Sequence, residues 1–97
     1  MIYEFFYEDR VDYDIDEALD YYSPINPDLA DEFLIRLEEA KTHILNSPKG
    51  FEVRQKTIRT FLLKQFPYHI HYIIDNHRII ILAILHAESG PEKIGKV

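Results

Sequence analysis

The chain of 97 residues has no cysteine, which excludes a disulfide scaffold, a thiolate metal site and a cysteine nucleophile, and fits a reducing compartment. With only 3 glycines it has no Gly-rich phosphate loop, and it carries neither a G-x-S-x-G nucleophile elbow nor an H-E-x-x-H zinc motif. Long hydrophobic runs are also missing. The longest, Ile79 to Leu85, falls far short of the roughly 20 apolar residues a membrane-spanning helix needs. Met1 is followed at once by Ile2-Tyr3-Glu4-Phe5-Phe6-Tyr7, with no basic n-region and no small-residue cleavage site, so no signal peptide is expected. A cytoplasmic protein with no membrane segment and no cofactor is the expectation. Repeats and low-complexity tracts are absent.

Positive charge is scarce in one half only. Residues 1–46 hold 3 Lys and Arg against 13 Asp and Glu, a net −10, whereas residues 47–97 hold 8 against 4, a net +4. The whole-chain value of −6 hides this split, and four of the five histidines lie in the basic half. Charge asymmetry between halves bears on partners more directly than the total does. Part of the acidity has a plain explanation, since carboxylates keep exposed helix faces soluble.

Apolar residues make up 46% of the chain and aromatics 13%, enough for one core, and the length suits a single domain over residues 1–97. The polar stretch 87–97 reads as a flexible tail. Alternation over Ile2–Tyr7 predicts a short strand. From Asp9, a candidate N-cap, Val11, Ile15, Ala18 and Tyr22 step at helical spacing until Ser23-Pro24. Asn26 as cap and Pro27 at the first position open a second helix, with Leu29, Phe33, Leu37, Ala40 and Ile44 as its apolar stripe and Leu34 and Leu45 widening it. The short link makes the pair an antiparallel hairpin. After Asn46-Ser47-Pro48-Lys49-Gly50 the pattern turns to strands. Val53–Lys56 is ambiguous, Thr57–Leu63 and Tyr68–Ile74 read as strands, and Asp75-Asn76-His77 reads as a tight reversal. Arg78–His86 is apolar on both faces and should lie inside the sheet. The fold class is α+β: an N-terminal strand, an antiparallel helical hairpin, then a three-stranded antiparallel meander completing one sheet.

His69 and His71 lie two apart on a strand and share a face, but two ligands without an acidic or cysteine partner at diagnostic spacing make no metal site, so none is expected. His69 could serve as an acid or base near neutral pH, or both could be half-exposed strand histidines. Lys49, Arg54, Lys56, Arg59, Lys64 and Arg78, interleaved with Phe51, Phe61, Phe66 and Tyr68, could hold phosphates while aromatics stack on bases, or could receive an acidic peptide. Ordinary surface charge accounts for such a mild excess equally well.

Three stretches together resemble a known family. They are Asp14-Ile15-Asp16-Glu17-Ala18 with Tyr21-Tyr22; Leu29 through Ala40 leading to Ser47-Pro48; and Arg59-Thr60-Phe61-Leu62-Leu63-Lys64-Gln65-Phe66-Pro67-Tyr68-His69-Ile70-His71-Tyr72, followed by Ile81 to His86. The chain resembles the RelE/ParE superfamily of type II toxins, specifically the ParE-like plasmid stabilisation branch. The resemblance implies a small toxin neutralised by a cognate antitoxin, in a toxin–antitoxin hetero-oligomer. RelE-type members cut mRNA on the ribosome with basic residues on the sheet; ParE-type members poison DNA gyrase and lack that catalytic set. Here the positions corresponding to the nuclease cations fall near Thr60 and Leu62, on His69 and near Glu88, so cationic stabilisation of a cleaved phosphodiester is missing. The sequence also departs from the ParE-like pattern after His86, where Ala87-Glu88-Ser89-Gly90-Pro91 keeps the proline without the usual basic residues.

The first reading is a toxin that binds and inhibits a macromolecular target. A divergent ribosome-dependent ribonuclease, with His69 as acid or base and Arg59, Lys64 and Arg78 on phosphate, is the second. The third is a non-toxic antitoxin-binding relic. Candidate binding residues are Arg59, Lys64, Tyr68, His71, Arg78 and His86.

Overall fold

The structure is a computed structural model that describes residues 2–50, the backbone of 53–55, and residues 57–88. Phe51, Lys56, the side chain of Arg54 and the expected tail beyond Glu88 lie outside the described residues. In chain order the elements are β1 (Glu4–Tyr7), α1 (Arg10–Tyr22), α2 (Pro27–Asn46), a single 3-10 turn (Pro48–Gly50), β2 (Val53–Gln55), β3 (Ile58–Leu62), β4 (Tyr68–Asp75) and β5 (Arg78–His86). The strands form one sheet in the order β1-β5-β4-β3-β2. The expected meander β3-β4-β5 is antiparallel, and β1 joins it parallel to β5. The ambiguous stretch after Gly50 supplies β2, a short antiparallel partner for β3.

Helix α1 buries Val11 and Ala18, with Ile15, Leu19 and Tyr22 packed partly against the same core. Asp9 occupies the N-cap position but makes no side-chain cap, because its backbone is already helical at φ −55 and ψ −36. A capping side chain reaches forward from an extended backbone. Instead Val11 N–H donates to the Glu8 carbonyl at 3.0 Å. Asn26 does have that extended backbone, and its Oδ1 accepts the Asp28 N–H at 3.0 Å, with Pro27 opening α2. Phe33, Leu37, Ala40 and Ile44 are buried, but Leu34 and Leu45 remain 40% and 38% exposed. The apolar stripe therefore runs wider than the core it feeds.

The sheet faces follow the strand period. Tyr68, Ile70, Tyr72 and Ile74 turn towards the helices, while His69, His71 and Ile73 turn away. Strand β5 has a bulge: His71 pairs with Ala83 and Tyr72 with Ile81, leaving Leu82 as an extra residue. A bulge changes the parity of the strand beyond it. Ile79 and Ile81 before it, and Ile84 after it, therefore all reach the core beneath the helices, while Ala83 and Leu85 form a small cluster of their own with Ile58 and Leu82. That shift explains why β5 reads as apolar on both faces. The turn between β3 and β4 has Gln65 at φ 76, an uncommon conformation for a residue with a side chain. Two residues of α2 hold it there: Gln65 Nε2 donates to Glu32, and Arg36 Nε donates to Gln65 Oε1 at 3.2 Å.

Candidate functional site

Where β1, α1 and α2 meet, the surface opens into a cavity of about 230 Å³ walled by Val11, Ile15, Leu34 and Leu37. Lys41 stands at its rim, with its ammonium 5.4 Å from the Phe5 ring centroid, 5.1 Å from that of Tyr7, and 3.3 Å from the Glu38 carboxylate. Burial pulls the Lys41 pKa down, but the hydrogen bond with Tyr7 and the charges of Tyr7 and Glu38 outweigh it, and the net shift is upward. An apolar floor with a charged rim is the form of groove that takes an amphipathic peptide.

A second recess, about 180 Å³, lies where β1 has ended and the last part of β5 runs beside α1; Arg10, Tyr13, Asp14, Glu17, Tyr68 and His86 are among its lining residues. Glu8 N–H makes the last β1 contact, to the Ile81 carbonyl at 3.0 Å. Beyond it, Asp14 of α1 takes over: its Oδ2 accepts the Ile84 N–H at 3.0 Å, and Arg10 braces the carboxylate from Nε and Nη2, both at 3.1 Å. Tyr68 roofs an aromatic cluster with Tyr22, Phe33 and Phe66, and meets the His86 ring edge-on at 5.3 Å. Burial raises the Tyr68 pKa first, and the neighbouring Tyr22, Glu17 and Tyr21 add to it. His86 Nδ1 accepts the Glu88 N–H at 3.2 Å.

The residues singled out from sequence fall in separate places. Tyr68 and His86 come together in the recess. His69 and His71 share the sheet face away from the helices, with ring centroids 6.0 Å apart; their cross-strand neighbours are Leu62 and Leu85 for His69, and Thr60 and Ala83 for His71. Arg59 pairs across the strands with Tyr72 on the opposite, helix-side face, where its Nη1 donates to the Lys49 carbonyl at 3.1 Å. Tyr72 is fully buried beside it and donates from its hydroxyl to the Pro48 carbonyl at 2.6 Å. Its pKa is pushed up to about 12 by burial, with Arg59 pulling the other way. Lys64 sits in the exposed β3–β4 turn, near Arg36 and His43. Arg78 lies at the far hairpin, 3.4 Å from Asp75 and over the Phe6 ring. Leu85, the partner of His69, lies seven positions further along β5, roughly 23 Å of strand. The geometry thus does not gather His69, Arg59, Lys64 and Arg78 around one phosphate.

By sequence alone Asp14 and Glu17 stand out only as part of an acidic helix and a family motif. Asp14 is 7% exposed. The clue was there: Asp14 falls on the same helix stripe as Val11 and Ala18, four residues after an arginine. Among the described residues no three His, Asp or Glu side chains converge as metal ligands, and no helix is long and apolar enough to cross a membrane.

A helical hairpin laid across a mixed five-stranded sheet, with an apolar groove on the helix side, defines a small α+β domain. The particular family follows from comparison with known proteins. The family described as ParE toxin of type II toxin-antitoxin system, parDE, matches residues 5–90, and this chain belongs to it. Toxin ParE2 of Mycobacterium tuberculosis, found in two strains, is 31% identical over 85 residues, which span 87% of this chain and 81% of the relative. A solved chain of the chromosomal ParDE toxin–antitoxin system from P. aeruginosa superposes with a TM-score of 0.77 at 19% identity, covering 88% of this chain and 96% of the other. That likeness establishes the same fold.

Proposed function

We propose that this ParE-family toxin acts in the cytoplasm by binding and inhibiting a macromolecular target, DNA gyrase by family resemblance, and that a cognate antitoxin holds it inactive. The observation that carries binding over cutting is the make-up of the sheet face opposite the helices. At its centre Thr60, Leu62, His69 and His71 face each other across β3 and β4 with no lysine or arginine among them. Phosphodiester cleavage develops negative charge that needs a placed cation, and His69 alone is not one. Arg59 points to the other face of the sheet. The antitoxin draws support from the P. aeruginosa neighbour, which comes from a ParDE toxin–antitoxin system. The groove walled by Ile15, Leu34 and Leu37 offers an apolar seat for such a partner.

Induced expression in a bacterial host tests this. Growth arrest is expected, with relief when the product of the neighbouring antitoxin gene is co-expressed. Purified toxin should inhibit supercoiling by gyrase and leave cellular mRNA uncut in primer extension. His69→Ala should arrest growth as the parent does. Absence of arrest, or mRNA cutting that disappears with His69→Ala, would overturn the reading.

A further inference from the structure

We infer that the outer face of α1, together with the recess at the free end of β5, is a docking site for an arginine-bearing segment of a partner protein. Tyr13, Glu17 and Tyr21 stand four residues apart and so share one helix face. Tyr13 and Tyr21 are 69% and 64% exposed, unusual for side chains of this size, and Ile25 beyond them is 61% exposed. Tyr21 is held edge-on against Tyr22 at 5.0 Å, so one anchor is already ordered. The row leads into the recess of about 180 Å³, whose polar lining is Arg10, Tyr13, Asp14, Glu17, Tyr68 and His86.

The chemistry of the recess selects the occupant. Strand addition along β5 is blocked at its first step, because Asp14 already takes the Ile84 N–H. The Asp14 charge is balanced by Arg10. Glu17 has no ion-pair partner among the described residues, and its charge is felt at Tyr68, whose pKa it helps to raise. What remains is one carboxylate between aromatic rings, beside the exposed Asp16 and Asp20 on a half-chain of net charge −10. A guanidinium is the group that both stacks on aromatic faces and binds a carboxylate through two parallel N–H donors. A lysine ammonium does neither as well. The site lies on a different side of α1 from the groove under Leu34, so a single partner could reach both only by wrapping the helix. Its biological role rests on the toxin reading; its existence does not.

The test is a titration of the purified full chain, followed by amide shifts in two-dimensional NMR, with acetyl-Leu-Arg-Leu-amide and with versions carrying lysine or the neutral isostere citrulline in place of arginine. The arginine peptide should shift Tyr13, Glu17, Tyr21 and His86 saturably, the lysine peptide should bind several-fold more weakly, and citrulline should not saturate. Glu17→Gln, on an exposed position that leaves the spectrum of the fold intact, should weaken the arginine peptide about tenfold. Equal responses to arginine and citrulline, shifts confined to other surfaces, or unchanged affinity in Glu17→Gln would each overturn the proposal. None of these outcomes touches growth arrest, so the two readings fail separately.

Discussion

Asp14 and Ile84 are 70 residues apart, yet the Asp14 carboxylate accepts the Ile84 N–H at 3.0 Å inside the protein. The contact exists because β1 stops short and the bulge at Leu82 resets the parity of β5, turning the Ile84 amide towards α1 instead of a neighbouring strand. A buried amide without an acceptor costs stability. One helix carboxylate thus closes the sheet where the last strand runs out.

Replacing Asp14 with alanine removes that acceptor together with the Arg10–Asp14 ion pair. The expected loss is about 2–3 kcal/mol, the range for a buried hydrogen bond to a charged group. Asp14→Asn keeps an acceptor and should lose less. Urea denaturation reads both, and an alanine variant as stable as the parent would show the contact to be incidental.

Tyr72→Phe tests the buried hydroxyl that holds the Pro48 carbonyl at 2.6 Å. A loss of about 1–2 kcal/mol is expected, since the carbonyl is left unsatisfied. The pH dependence has a definite sign. The folded pKa stands near 12, above the ordinary tyrosine value of 10.0, so the unfolded chain gives up this proton first. Stability from this source is complete below pH 10 and is lost as the pH climbs towards 12. Tyr22 and Tyr68, also shifted upward, act in the same direction. Denaturation midpoints measured from pH 9 upward should fall less steeply for Tyr72→Phe than for the parent; parallel slopes would contradict the assignment.

Asn26→Ala takes away the acceptor for the Asp28 N–H at the start of α2. A cost of about 1 kcal/mol is expected, and Asn26→Asp should recover most of it. By contrast Asp9→Ala should change little, because Asp9 makes no cap. Thermal melts of the three variants decide between an active and an idle capping position.

Leu34→Asp places a charge on the wall of the groove without opening the core, since Leu34 is 40% exposed. Stability should stay within about 1 kcal/mol of the parent. If the antitoxin uses this groove, co-expressed antitoxin should then fail to rescue growth while toxicity persists. Full rescue would place the antitoxin elsewhere.

Much of the architecture was legible because it depends on local rules. The steps from Val11 to Tyr22 and from Leu29 to Ile44, the Asn26-Pro27 start, and the alternation from Tyr68 to Ile74 are properties of short segments, and each produced the element expected of it. The chemistry of the site was less legible. Basic residues close in sequence, Arg59, Lys64 and Arg78, were dispersed by pleat and turn: one faces the helices, one sits in a loop, and one lies at the far hairpin. Tyr68 and His86, separated by about as much chain, were instead brought ring to ring by antiparallel pairing.

The sequence by itself determined every long element, the absence of thiol chemistry and the family, because composition, periodicity and ordered motifs are carried by the chain alone, whereas the short β2 emerged only from pairing with β3. The tertiary structure decided which charges are buried and which surfaces remain open. Asp14 and Asp16 are both acids on one helix, and only the way α1 lies against the end of β5 makes the first a buried support of the sheet and leaves the second to solvent. Burial and partnership are properties of packing between distant segments, and no local pattern specifies them.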